Sequence, residues 1–180
     1  MKTIASLLLF AAWVSVSGTV TWAATAKPAA EAKPAPRVTV VFDHPENFTD
    51  VKQDFVGTER GRDDNLAMIR SFLEERGEEL LPAGQKLTLT FTDIDLAGDY
   101  NEWRGPSWQD VRVVKDLYPP RFVFTFKLID ADGRVLKQDK VDLLDMAFMM
   151  RRTTGQQESL HYEKDILGDW LRATVKPPKK

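Results

Sequence analysis

The chain has no cysteine. That absence excludes disulfides, thiol nucleophiles, iron–sulfur clusters and thiolate zinc sites together. It also removes the acceptor for a lipid anchor at a cleaved N-terminus. Histidine is nearly as scarce, with only His44 and His161 in 180 residues. Neither stands in an HExxH or other metal-spaced pair, and no glycine-rich phosphate loop or GxSxG elbow occurs. No catalytic signature and no cofactor signature emerge. Neither sign of charge dominates, and a net charge of −2 gives no basic field for nucleic acid, which is not expected as a partner.

Long apolar runs are also missing, with one exception. After the basic start Met1-Lys2-Thr3, residues Ile4 to Val20 are apolar and broken only by small hydroxyl and glycine residues. Small-x-Ala patterns follow at Thr21-Trp22-Ala23 and Ala24-Thr25-Ala26. The run is short and serine-rich for a membrane span, which needs about 20 strongly apolar residues. It reads as a secretory signal peptide over residues 1–23. The expected mature chain has no membrane span and is exported, most simply to a bacterial periplasm. Residues 24–36, Ala, Pro and Lys with little to bury, form a disordered spacer. Residues 37–175 are long enough for one domain with a sizeable core. The basic, proline-broken residues 176–180 form a mobile tail.

The domain is organised around Gln85 to Asp99, QKLTLTFTDIDLAGD. Leu87, Leu89 and Phe91 alternate with Thr88, Thr90 and Thr92, the period of a half-buried strand. The stretch then enters an acidic loop, Asp93 to Asp99. Upstream, Val38, Val40 and Phe42 form a first strand with two mostly apolar faces, as suits a central position. About twenty irregular residues follow, with Phe48, Phe55 and Val56 as anchors. Asp63 or Asp64 then caps a helix carrying Leu66, Ile69, Leu73 and Leu80 on one stripe. Strand, helix and strand make a crossover unit that brings Asp43-His44 and Asp93/Asp95 to one sheet edge.

Downstream, Asp110 to Asp116 reads as a short strand. Phe122, Phe124, Phe126 and Leu128 mark a long one, and Asp130-Ala131-Asp132-Gly133 a hairpin turn into Val135 to Val141. Two short helices close the domain, one around Leu143 to Met150 and one from about Leu160 to Thr174. The order predicts a single α+β domain: a mixed or antiparallel sheet with a strand–helix–strand start, a strand meander and two C-terminal helices.

Candidate site residues cluster in the loops. Asp93, Asp95 and Asp99 offer carboxylates, and with Asp43 they suggest a hard-cation site over Asp43, Asp93 and Asp95. The EF-hand pattern fails, because Ala97 and Arg104 stand where oxygen ligands belong. Loop aspartates also satisfy backbone N–H groups, and that is the plainer reading. Trp103, Arg104 and Trp108 in a Gly/Pro loop suit stacking on a ligand or filling a partner's pocket. Met146, Phe148, Met149 and Met150 form either an adaptable surface or a core helix.

The blocks FDHPENFTDV, LPAGQKL through TDIDLAGD, VRVVKDLYPPR, DADG-VL, LLDMAF and YEK-IL-DWLR span Arg37 to Arg172. Together they resemble an uncharacterised family of exported proteobacterial proteins, the domain of unknown function number 3016. The resemblance implies a periplasmic α+β domain and carries over no activity, substrate or catalytic residue. The functional expectation is a non-enzymatic accessory or binding protein of the cell envelope, with an envelope protein or cell-wall ligand as partner. Two alternatives stand beside it: a metal-dependent or hydrolytic enzyme using Asp43, His44, Asp93 and Asp95, and a structural envelope component.

Overall fold

The computed structural model describes residues 36–100, 111–151 and 158–175. Alternation of branched and aromatic residues builds four long strands: β1 (Val38–Phe42), β2 (Lys86–Asp95), β5 (Arg121–Ile129) and β6 (Val135–Leu144). They form one sheet in the order β1-β2-β5-β6. β1 and β2 run parallel, and the other neighbours are antiparallel. Two two-residue strands, β3 (Asp99–Tyr100) and β4 (Arg112–Val113), pair separately. The expected mixed sheet and α+β architecture are therefore what the chain adopts.

Helices α1 (Glu59–Leu80) and α2 (His161–Val175) cover one face of the sheet. Val38, Leu87, Leu89, Phe91, Phe122, Phe124 and Leu128 are buried against Leu66, Ile69 and Leu73 of α1 and Ile166, Leu167 and Leu171 of α2. Each such side chain contributes about 1.5–3 kcal/mol on leaving water. Trp170 seats its ring edge-on to Phe124 at 4.7 Å and Phe126 at 5.3 Å. Close approach of α1 to β1 requires Gly77, where a Cβ would stand 2.4 Å from Val38 Cγ2. The opposite face of the sheet presents Thr39, Thr88, Thr125 and Lys127 to solvent.

Several expectations are corrected. β1 is an edge strand, because β2 lies on one side of it and helices cover one face only; Val41 is consequently 41% exposed. α1 starts a turn earlier than Asp63, capped by the Thr58 hydroxyl, which accepts from Gly61 N–H at 3.2 Å. Phe48 anchors the first loop as expected, but Val51 is the second anchor and Val56 is exposed. No α-helix spans Leu143 to Met150. Leu143 instead pairs with Phe122 to extend β6, Asp145 then accepts from Ala147 N–H at 3.0 Å, and only Phe148–Met150 make a 3-10 turn. Phe148 is buried there, while Met146, Met149 and Met150 are exposed.

Candidate binding cleft

Strict alternation would carry Leu87, Leu89 and Phe91 on to Asp93 and Asp95, driving both carboxylates into the core. A bulge prevents this. Phe91 pairs with Phe124 and Asp93 with Val123, which leaves Thr92 as the extra residue. One added residue exchanges the faces of everything beyond it. Ile94 and Leu96 turn into the core, and Asp93 and Asp95 turn out. The two aspartates thus belong to β2 itself and not to the loop expected from the sequence.

The chain leaving β1 also returns to this place. Asp43 N–H donates to Phe91 O at 2.9 Å, continuing the parallel ladder. His44 then turns out with a left-handed φ of 53° into a 3-10 turn, Pro45–Asn47. Asp50 rejoins β2, its N–H donating to Ile94 O and its carbonyl accepting from Leu96 N–H, both at 3.0 Å. Thr49 meets Asp93 at this point. The Asp93 carboxylate accepts from Thr49 N–H at 2.8 Å and from the Thr49 hydroxyl at 3.0 Å. Both of its oxygens serve the scaffold.

Arg112 of β4 ties the other side. Its guanidinium donates to Asp50 Oδ2 at 2.7 Å, to Ala97 O at 2.9 Å, and to the carbonyls of Leu96 and Lys52 at 3.2 Å. The Tyr100 ring stacks against it, 5.2 Å from the guanidinium carbon. Burial raises the Tyr100 hydroxyl above its usual range against the opposing Arg112 charge. β4 reaches the site because Gly98, at φ 81°, lets the backbone pass Val113; a Cβ there would lie 2.7 Å from Val113 O. Below, the buried Glu163 of α2 accepts from Ala97 N–H at 2.7 Å, and burial raises its carboxyl above the ordinary range.

Asp95 is treated differently. Among the described residues it has no side-chain hydrogen bond or ion pair. Burial first, then the charges of Asp50 and Asp93, push its carboxyl up to about 6, with Arg112 opposing. It opens into a cleft of about 370 Å³ together with Thr49, Asp50, Lys52, Asp99 and Arg121. Exposed Leu117, Tyr118 and Leu144 form the apolar rim. A larger groove of about 560 Å³ lies between α1 and α2, but its Arg76, Lys164 and Arg172 are each already paired with a carboxylate.

The family model described as "Protein of unknown function (DUF3016)" matches residues 36–173. The chain belongs to this family. Comparison with curated proteins and with solved structures finds no match. In this DUF3016 domain the structure brings Asp93, Asp95 and Asp99 within one electrostatic neighbourhood. Asp43 and His44 are not among the residues that line the cleft. His44 is exposed and hydrogen-bonds Glu46 at 3.1 Å; that bond and the nearby Asp43 and Glu46 charges raise its pKa. No group of three His, Asp or Glu among the described residues is placed to hold a metal ion. Trp103, Arg104 and Trp108 lie outside the described residues.

Sequence reasoning passed over Asp50, Arg112, Tyr118, Arg121 and Glu163. Asp50 and Arg112 are distant in sequence and meet only because the loop after β1 doubles back. Glu163 carried no signal, since a glutamate in the first turn of a helix is ordinarily a solvated one.

Proposed function

We propose that this protein is an exported, non-enzymatic binding protein of the cell envelope, and that it binds through the cleft floored by Asp95. Export rests on the N-terminal pattern: a basic start, an apolar run from Ile4 to Val20, and small-x-Ala sites. Binding rests on one observation above all. Asp95 is a half-buried carboxyl that has no partner among the described residues, in a cleft whose rim exposes Leu117, Tyr118 and Leu144. The charged and polar side chains of the cleft converge beside that apolar rim, and convergent polar groups are what orient a ligand. Trp103, Arg104 and Trp108 follow Asp99 of the cleft closely in sequence, and they are included in the proposed surface on that sequence position alone.

The test is a photo-crosslinking residue placed at Leu117, with a control at Asp132 on the distant hairpin turn, in cells producing the protein. A discrete adduct from Leu117 alone, lost in Asp95→Ala, supports the reading. Equal adducts from both positions, or an adduct indifferent to Asp95, would count against it.

The raised carboxyl of Asp95 favours a second reading, in which Asp95 is a general acid or base of a hydrolase or metal-dependent enzyme. Asp93 is less suited to join it, because both of its oxygens already accept from Thr49.

A further inference from the structure

β6 is the outer strand of the sheet, and Val135 through Lys140, Asp142 and Leu144 are all exposed along it. Its free edge presents ten residues with no strand beside them among the described residues. Charged edges usually discourage pairing. Here the signs alternate along the strand as Lys137, Asp139, Lys140 and Asp142, so the edge can be complementary to itself.

We propose that β6 pairs antiparallel with β6 of a second copy of this chain, about a two-fold axis at Val141. Opposed residues in antiparallel strands share a face. A two-fold axis normal to the sheet preserves faces, so it must pass through a residue and set that residue against itself. Axes at Lys137, Asp139, Lys140 or Asp142 set like charges directly opposite, which is destabilising. An axis at Gln138 runs the pairing through the irregularity at Leu136, where Lys137 pairs with Leu128 but Val135 pairs with Ile129. An axis at Leu143 leaves only Asp142 to Leu144 within the strand.

Val141 remains. That axis sets Lys140 of each copy against Asp142 of the other, twice, on the open face. It sets half-buried Val141 against itself on the helix-covered face, where Val141 already packs on the core. Gln138 then faces Leu144 of the second copy, and exposed Leu136 and Met146 come together at the two ends of the paired segment. Asp142 keeps its two bonds from Arg121 at 2.8 and 2.7 Å while meeting Lys140 of the second copy. The product is one continuous eight-stranded sheet, an isologous dimer joined through its backbone.

The lack of cysteine makes the test direct. Analytical ultracentrifugation of the wild type should show a concentration-dependent dimer. Under mild oxidation V141C should cross-link to itself much faster than Q138C or D132C, because only position 141 meets its own copy. K140D turns both attractive pairs into repulsive ones and should weaken association roughly tenfold. A wild type that stays monomeric at about 1 mM, association untouched by K140D, or preferential cross-linking of Q138C would each overturn the proposal. Should V141C fail to fold, sedimentation of the wild type and K140D still decides.

Discussion

Asp95 and Arg121 are direct cross-strand partners on β2 and β5, yet no ion pair joins them. Arg121 reaches outward instead, giving both N–H groups of a fork to Asp142 of β6. Arg112, a second nearby arginine, is spent on Asp50 and three backbone carbonyls. Among the described residues the two arginines beside Asp95 are thus committed elsewhere, and its carboxyl is left to burial and to neighbouring negative charge. That arrangement costs stability, and such costs gather at functional sites.

The cost has a definite sign. The Asp95 carboxyl is raised from 3.8 to about 6 in the folded state. Below about pH 3 both folded and unfolded chains are protonated and Asp95 is neutral to stability. As pH rises toward 6 the unfolded chain releases its proton first, so stability falls, and above 6 the loss is complete. Asp95→Asn should therefore stabilise by about 1 kcal/mol at pH 8, after allowance for solvent screening, and by almost nothing at about pH 3. Urea titrations at the two pH values check this; stabilisation that is equal at both would refute it.

Asp93 should behave in the opposite way. It accepts two bonds from Thr49, so Asp93→Ala should cost about 1–2 kcal/mol, as for a lost cap. Asp93→Asn keeps a carbonyl oxygen in place and should cost less than half as much. Thermal melts of the two variants separate the roles of neighbouring carboxylates.

Arg112 and Asp50 are both largely buried, with side chains 16% and 13% exposed. Lysine cannot reproduce a fork serving one carboxylate and three carbonyls. Arg112→Lys should lose about 2–3 kcal/mol and loosen the β3–β4 pair. A double-mutant cycle with Asp50→Asn, read by denaturation, should return a coupling energy well above that of a surface pair. Additive losses would mean that the hub is not a unit.

Much of the sheet was legible because its signal is local. Period-two alternation in Phe122 to Leu128 named the core face outright, and all four inward residues are buried. Leu66, Ile69 and Leu73 likewise announced the buried stripe of α1. What escaped was nonlocal or a matter of count. The mostly apolar faces of the Val38 to Phe42 strand suggested that both were covered, but exposure at Val41 depends on where β1 falls in the sheet order. The bulge at Thr92 is invisible to a pattern reading that continues its own period, and it alone decides which way Asp93 and Asp95 point. Leu143 to Met150 looked helical in composition, while pairing of Leu143 with Phe122 kept it in the strand.

The face assignment of β5 carries its own test. Phe124 is fully buried between Phe91 and Trp170, at 4.9 and 4.7 Å, whereas its neighbour Thr125 faces solvent. Phe124→Ala should cost about 3–5 kcal/mol, and Thr125→Ala should stay within about 0.5 kcal/mol. Equal losses in denaturant would contradict the packing described.

Everything proposed for the cleft depends on Asp95 being desolvated and unpaired. Its titration can be followed directly by the carboxyl carbon resonance in NMR spectra of labelled protein between pH 3 and pH 8, assigned by its absence in Asp95→Asn. The account predicts a midpoint near 6, as the environment of Asp95 requires. A midpoint at or below about 4, the range of an ordinary aspartate, would show the carboxyl to be solvated or paired and would contradict the account.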